Sequence, residues 1–277
     1  MDRVASHRRW QEARQAELAG PDSWLGLIGL IWLEQGENAV GSAPECPVGL
    51  PAGPAHLGSL WVNGTDLAWQ GAADGGAVVE GGGAVADGWQ VLLTDRNGPP
   101  SRIGIDSLVF FVIEREGRLA VRLRNRNWAV SQPPPDLAYY AYDPAWRVIA
   151  AWQALATPQT MEVPNVTGEL KIVEVAHQAV FQVAGQPVSL LPMSVNDTET
   201  FFVFRDRTSG KETYGAGRFL KAPVAVDGKI TLDFNFSYSP PCAFTPFATC
   251  PLPPPENWLP FAVPAGEKKW EKAGVAA

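Results

Sequence analysis

Histidine, cysteine and long apolar runs are all scarce in this chain, and each shortage excludes a class of function. Only three histidines occur, His7, His56 and His177, and none stands at metal-ligand spacing from another. Three cysteines are too few, and odd in number, for a disulfide scaffold. Cys46 is remote from the other two. Cys242 and Cys250 lie eight residues apart, whereas zinc pairs sit about two to four apart with a histidine partner near. No run of about 18 apolar residues is present, so no helical membrane span is expected. Trp24–Leu33 is apolar, but it follows a segment of mixed charge and precedes Glu34 and Glu37. It does not read as a signal-peptide core, and the expected compartment is the cytoplasm. A basic excess is missing too. With 22 Lys+Arg against 29 Asp+Glu, the formal net charge is −7, which argues against a general nucleic-acid binder. The alternating Arg122, Arg124 and Arg126 are expected on the solvated face of one strand. Phosphate-cradling loops, dinucleotide fingerprints and GxSxG elbows are absent, so no motif names a cofactor.

What is abundant is turn chemistry: 27 glycines and 25 prolines among 277 residues favour short strands joined by many turns. The first strong element is a helix over residues 2–19, rich in Ala, Glu, Gln and Arg, with Asp2 as cap and Gly20-Pro21 as stop. Asp22 or Ser23 can cap a second short buried helix over SWLGLIGLIWL, with a buried strand as the alternative. From Gly36 to Arg126, short apolar runs alternate with Asn63-Gly64, Asp74-Gly75, Asp87-Gly88, Asn97-Gly98 and Glu116-Gly117, the spacing of a β-sandwich. The run Ser131–Pro135 reads as an extended linker. Beyond it, short strands continue, and residues from Lys268 onward read as a loose tail. The expected fold class is all-β. Its parts are an N-terminal helical segment (1–35), a sandwich (36–130) and a second antiparallel β-rich unit (136–277).

One stretch carries most of the polar chemistry. Residues Ile230–Ser239 alternate apolar and polar, which predicts a strand with one polar face. If Asp227-Gly228 is a two-residue hairpin turn, 218 faces 237, 220 faces 235 and 222 faces 233. Tyr214 and Arg218 then share a side with Asp233, Asn235 and Ser237, next to a proline-stiffened loop holding Cys242, Cys250, Glu256 and Asn257. Arg218, Asn235, Asn257 and Cys242 are the candidate ligand-binding groups; Asp233, Glu256 and Tyr214 are the candidate catalytic ones. Arg218 with Asp233 also has a purely structural reading, as an ion pair locking the hairpin. The two later cysteines can be packed thiols, a disulfide, or a thiolate activated by Arg218.

Three stretches, GLIWLEQGENAVGS, FRDRTSGKETYGAGRFL and DFNFSYSPPCAFTPFATCPLPPPENWLPFAVPAGEK, resemble a family of bacterial and archaeal proteins, domain of unknown function 1684. The resemblance runs from about Trp24 to Lys268. Its pattern falls on Asp206, Gly210, Thr213, Tyr214, Gly217, Arg218, Asp233, Asn235, Pro241, Cys242, Cys250, Pro253, Glu256, Asn257 and Glu267. Ser239 stands where the family usually has asparagine, and Trp258 where it usually has arginine. The resemblance implies no activity. The segment from Gly36 to Trp69 also resembles the opening of a forkhead-associated (FHA) sandwich. Ser42 replaces the arginine that follows the glycine matched by Gly41, and no serine–histidine pair accompanies His56. A shared shape without phosphothreonine reading is therefore expected.

The leading functional reading is a protein binding a small polar or anionic molecule in a C-terminal pocket, with hydrolytic or acid–base catalysis as its enzymatic form. The rival is a non-catalytic interaction module built on the N-terminal sandwich. Expected partners are a small molecule, with no nucleic acid and no membrane.

Overall fold

The computed structural model describes residues 2–271 except 84, 87, 97 and 134. The turn residues Asp87 and Asn97 and the tail past 271 lie outside the described residues. The chain forms two compact units, residues 20–133 and residues 1–19 with 134–277. The boundary falls inside the expected linker. The N-terminal helix groups with the C-terminal unit, and residues 20–35 group with the sandwich.

In the unit 20–133, the apolar run makes one 3-10 turn, Trp24–Gly26, and then a strand, Leu27–Trp32, rather than a second helix. Ser23 caps a single 3-10 turn, its Oγ accepting the Leu25 N–H at 3.1 Å. Leu27–Trp32 then pairs antiparallel with Arg118–Asn125. Ten apolar residues satisfy either period, and the waiting strand partner decides. The five-stranded sheet runs Leu27–Trp32, Arg118–Asn125, Leu108–Arg115, Arg102–Ile105, Val78–Glu80. A second sheet is built on Gly36–Gly41, Gly58–Asn63 and Asp66–Gly71. Leu60, Val62 and Trp69 of one pack with Phe110, Val112 and Val121 of the other in a single core, which makes this unit a sandwich.

The arginine stripe does not face solvent. Arg122 and Arg124 are 5% and 7% exposed. Arg122 lies over Trp24 and Arg124 over Phe111, while Asp22 receives Arg126 at 2.9 Å and Arg102 at 3.2 Å. A strand bordered by Trp24 and Asp22 can bury guanidiniums because stems and charges both find partners. Gly41 has a packing reason: a Cβ there would sit 2.0 Å from the Ala55 carbonyl oxygen. Ser42 Oγ donates to the carbonyls of Gly53 and Pro54 at 2.8 and 3.1 Å.

In the C-terminal unit, a four-stranded sheet orders Gln186–Leu190, Leu170–Val183, Arg147–Pro164 and Lys229–Asp233. The short strands expected at Val148–Leu155 and Thr160–Val163 are one long strand, interrupted between Ala154 and Gln159. A three-stranded sheet orders Ser194–Val195, Glu199–Phe204 and Arg218–Pro223. Phe202, Phe204 and Leu220 from one sheet pack with Ala150, Ile230 and Leu232 from the other. The helix Arg3–Ala19 begins at Asp2, whose Oδ1 accepts the Ala5 N–H at 3.2 Å. It docks through charge: Arg14 Nε donates to Glu267 at 3.1 Å and its Nη2 to the Ser239 carbonyl at 3.0 Å. Residues 268 and 269 are not loose, since their N–H groups donate to the carbonyls of Ala138 and Glu212. No helix among the described residues is long and apolar enough to cross a membrane.

Candidate functional site

The Asp227-Gly228 turn forms as its sequence demands. Both residues are left-handed, at φ +50 and +68, and Val226 and Lys229 exchange backbone hydrogen bonds. The hairpin does not propagate. Arg218–Pro223 pairs with Glu199–Phe204, and Lys229–Asp233 pairs with Arg147–Pro164. The two arms enter different sheets, and the next backbone bridge between the flanking segments is Phe219 with Tyr238. The expected pairing of 218 with 237, 220 with 235 and 222 with 233 is therefore absent.

The polar alternation also ends early. The strand stops at Asp233, and Phe234–Phe236 makes a 3-10 turn. Asp233 Oδ1 accepts the Asn235 N–H at 3.3 Å and its Nδ2 at 2.9 Å. Such local side-chain bonding competes with ladder pairing, which sequence alternation does not reveal.

The expected five-group site is accordingly split into separate clusters. Arg218 is fully buried and paired with Asp206, not Asp233, at 2.6 Å. It also donates to Ser237 Oγ at 3.3 Å, to the Val263 carbonyl at 2.9 Å and to the Ala265 carbonyl. Burial pushes its pKa down and Asp206 opposes this. Asn235 spends its amide on Asp143, accepting its N–H at 2.9 Å and donating to its carbonyl at 2.8 Å. Asn257 is fully buried. It accepts the Leu191 N–H and donates to the carbonyls of Leu191 and Val203, each at 2.8–2.9 Å. These three groups tie segments together with bonds that leave little capacity for a ligand.

Tyr214 and Cys242 do meet. The phenol donates to the Cys242 carbonyl at 3.0 Å, and the Cys242 N–H donates to Cys250 Sγ at 3.3 Å. Both thiols are free. The Cys242 thiol is lowered to about 7, chiefly by hydrogen bonding from Cys250, with burial opposing. Burial, followed by bonding to Cys242, raises Tyr214. Glu256 stands apart, exposed on the turn Pro255–Asn257.

Asp233 has different company. It pairs directly with Arg147 across the antiparallel ladder, one position beyond Val148 with Leu232. The alternation that sends Leu232 and Ile230 into the core sends Asp233 and Thr231 outward, beside Arg147. A cavity of about 270 Å³ lies over this face, lined by Arg3, Arg147, Lys221, Pro223, Thr231, Asp233 and Phe236. Arg147 Nε and Asp233 Oδ2 face each other at 3.9 Å, an ion pair beyond hydrogen-bond range, and neither atom has a hydrogen-bond partner among the described residues. Near the pocket, His7 Nε2–H donates to the Asn235 carbonyl at 2.8 Å, and burial lowers the pKa of that imidazole. Burial and the Asp233 charge raise Tyr142. Sequence reasoning found Asp233 but missed Arg147, Arg3 and Lys221. The only local signal was the outward phase of Thr231 and Asp233; the cations arrive from distant segments. Among the described residues, no group of three or more His, Cys, Asp or Glu side chains is placed to hold a metal ion.

No curated protein matches the chain. A solved structure, that of the uncharacterized protein from gene locus rrnAC0354 of Haloarcula marismortui, is 33% identical, with a TM-score of 0.40. The match covers 48% of this chain and 75% of that one. The resemblance expected from Trp24 onward is matched from residue 135 only. Residues 135–268, which carry the Tyr214–Glu267 stretch, match the model of the family described as Protein of unknown function (DUF1684).

Proposed function

We propose that the C-terminal unit binds a small organic anion that also carries a hydroxyl group, in the pocket at Asp233. The observation that carries this reading is the 3.9 Å gap between Arg147 Nε and Asp233 Oδ2, two buried polar atoms with no hydrogen-bond partner. Buried polar atoms are nearly always satisfied, so an orphaned facing pair points to an occupant. A hydroxyl fits the gap, because it accepts from the guanidinium N–H and donates to the carboxylate at once. Arg3 and Lys221 line the same cavity and supply positive charge for the ligand's anionic end. Catalysis is the further form of this reading: Asp233 would take the proton of the bridging group as general base. α-Hydroxy carboxylates fit these demands.

Native mass spectrometry of freshly isolated protein, followed by titration with a panel of α-hydroxy carboxylates, tests the reading. The expected result is one saturable site that Arg147→Met weakens by at least ~10-fold, the loss of roughly one charge-assisted bond. Absence of any bound mass together with no saturable binding from the panel refutes it, leaving ordered water as the occupant.

A second reading, an interaction surface on the sandwich, has its own observation. Trp61, Val91 and Leu93 are 46%, 48% and 53% exposed and line one open depression with Arg96 and Glu114. An exposed apolar cluster rimmed by charge is the usual mark of a partner site. The FHA-like reading is limited to fold shape, because Ser42 spends its hydroxyl on two backbone carbonyls.

A further inference from the structure

Residues 205–207 run parallel to residues 257–261 in a short ladder outside the main sheets. The Arg205 N–H donates to the Asn257 carbonyl, Leu259 N–H to the Arg205 carbonyl, and Arg207 N–H to the Phe261 carbonyl. Arg205 and Trp258 are the bridged pair. Directly paired residues and those two apart share a face, so Arg205, Arg207, Trp258 and Pro260 project together. Their alternates point inward: Asp206 to Arg218, and Leu259 into the core. Burial agrees with this phase, since Asp206 and Leu259 are buried and the other four are exposed.

Three features make this face more than a solvated edge. Trp258 is 54% exposed, yet its indole N–H is already spent on the Pro253 carbonyl at 2.9 Å. What it offers outward is π surface held in a fixed orientation. The Arg205 guanidinium lies over that ring, 5.5 Å from the centroid, and Arg207 is anchored by Nε to the Pro260 carbonyl. With Lys211 from the neighbouring loop, these groups enclose a cavity of about 470 Å³, within the size of small-molecule sites. The one carboxylate on its lining, Asp206, is already paired with Arg218, so the local charge is strongly positive on a chain whose net charge is −7.

We infer that this platform is a second ligand site, which takes a planar organic anion: an aromatic ring bearing a phosphate or carboxylate. The ring stacks at the Arg205–Trp258 layer, and the anion is held by the Arg207 and Lys211 charges. Stacking on tryptophan tolerates many rings, so the site selects the combination of flat ring and charge rather than one ring identity.

Three probes separate the contributions: phenyl phosphate, inorganic phosphate and benzyl alcohol. Binding is read by calorimetry and by the indole N–H resonance of Trp258, assigned with Trp258→Phe. Phenyl phosphate should saturate one site and shift that resonance. Trp258→Ala should weaken it about 10-fold, in line with loss of one stacking contact. Arg205→Met/Arg207→Met should weaken both phosphates, while Arg147→Met, in the Asp233 pocket, should leave phenyl phosphate at this site unchanged. Arg205, Arg207 and Trp258 are exposed and Arg147 is half-buried, and thermal melting verifies that each variant is folded. No saturable binding of phenyl phosphate at millimolar concentration overturns the inference. So does binding that survives both sets of changes, or inorganic phosphate binding as tightly as phenyl phosphate.

Discussion

Replacing Arg218 by methionine should unfold much of the C-terminal unit, because the arginine belongs to a buried ion pair and not to a pocket. Arg218 is fully buried and Asp206 is 6% exposed. The guanidinium binds Asp206 at 2.6 Å, the Val263 carbonyl at 2.9 Å, Ser237 Oγ at 3.3 Å and the Ala265 carbonyl, and it lies over the Phe204 ring. Methionine keeps much of the stem but none of these donors. Asp206 would retain the Thr208 N–H and hydroxyl at 2.7 and 2.6 Å, yet its charge would lose the cation paired with it. Breaking one side of a buried pair costs about 3–5 kcal/mol, a large part of the ~5–15 kcal/mol that holds a domain folded. Native-state hydrogen exchange of the amides in Glu199–Phe204 and Arg218–Pro223 reads this unit without interference from the sandwich. The double variant Arg218→Met/Asp206→Asn should recover a substantial share, since it removes the stranded charge. A single variant within ~1 kcal/mol of the parent, the range of surface substitutions, refutes the reasoning. A double variant no more stable than the single one does the same.

Two further expectations follow from titration. Alkylation of Cys242 by iodoacetamide should show a midpoint near pH 7, and Cys250→Ala should move it upward; a midpoint unchanged by that substitution removes the proposed cause. Cys46, buried and with its pKa raised by burial, should remain unreactive at neutral pH. His7 is held below its ordinary 6.5 by burial. The unfolded chain therefore binds the extra proton more readily, and its stability contribution is present above pH 6.5 and is lost as pH falls toward the folded value. His7→Gln should flatten urea midpoints measured between pH 7.5 and 5, and an unaltered slope contradicts this.

Much of the architecture is legible in residue types. Asp2 and Gly20-Pro21 bound the first helix, and the repeated Asn-Gly and Asp-Gly pairs announce short antiparallel strands. Asp227-Gly228 makes its turn because few other pairs adopt two left-handed conformations in succession. The C-terminal family segment is also legible, through a long motif without gaps. The identity of partners is not. Arg218 sits at a strand position that the sequence places on one face with Asn235 and Asp233, yet Asp206 is its counterion. Asn235 and Asn257 read as chemistry on paper; in the fold they bond backbone groups.

The physical division is one of range. Turn formation, capping and the period of a strand depend on a few neighbouring dihedrals and side chains, so the sequence alone determines them. Where a strand goes after its turn depends on which sheet offers it a partner. The two arms around Asp227-Gly228 part company because Glu199–Phe204 and Arg147–Pro164 claim one each. That tertiary choice moved Arg218 inward, brought Arg147 opposite Asp233, and left two facing polar atoms of that ion pair without a hydrogen bond.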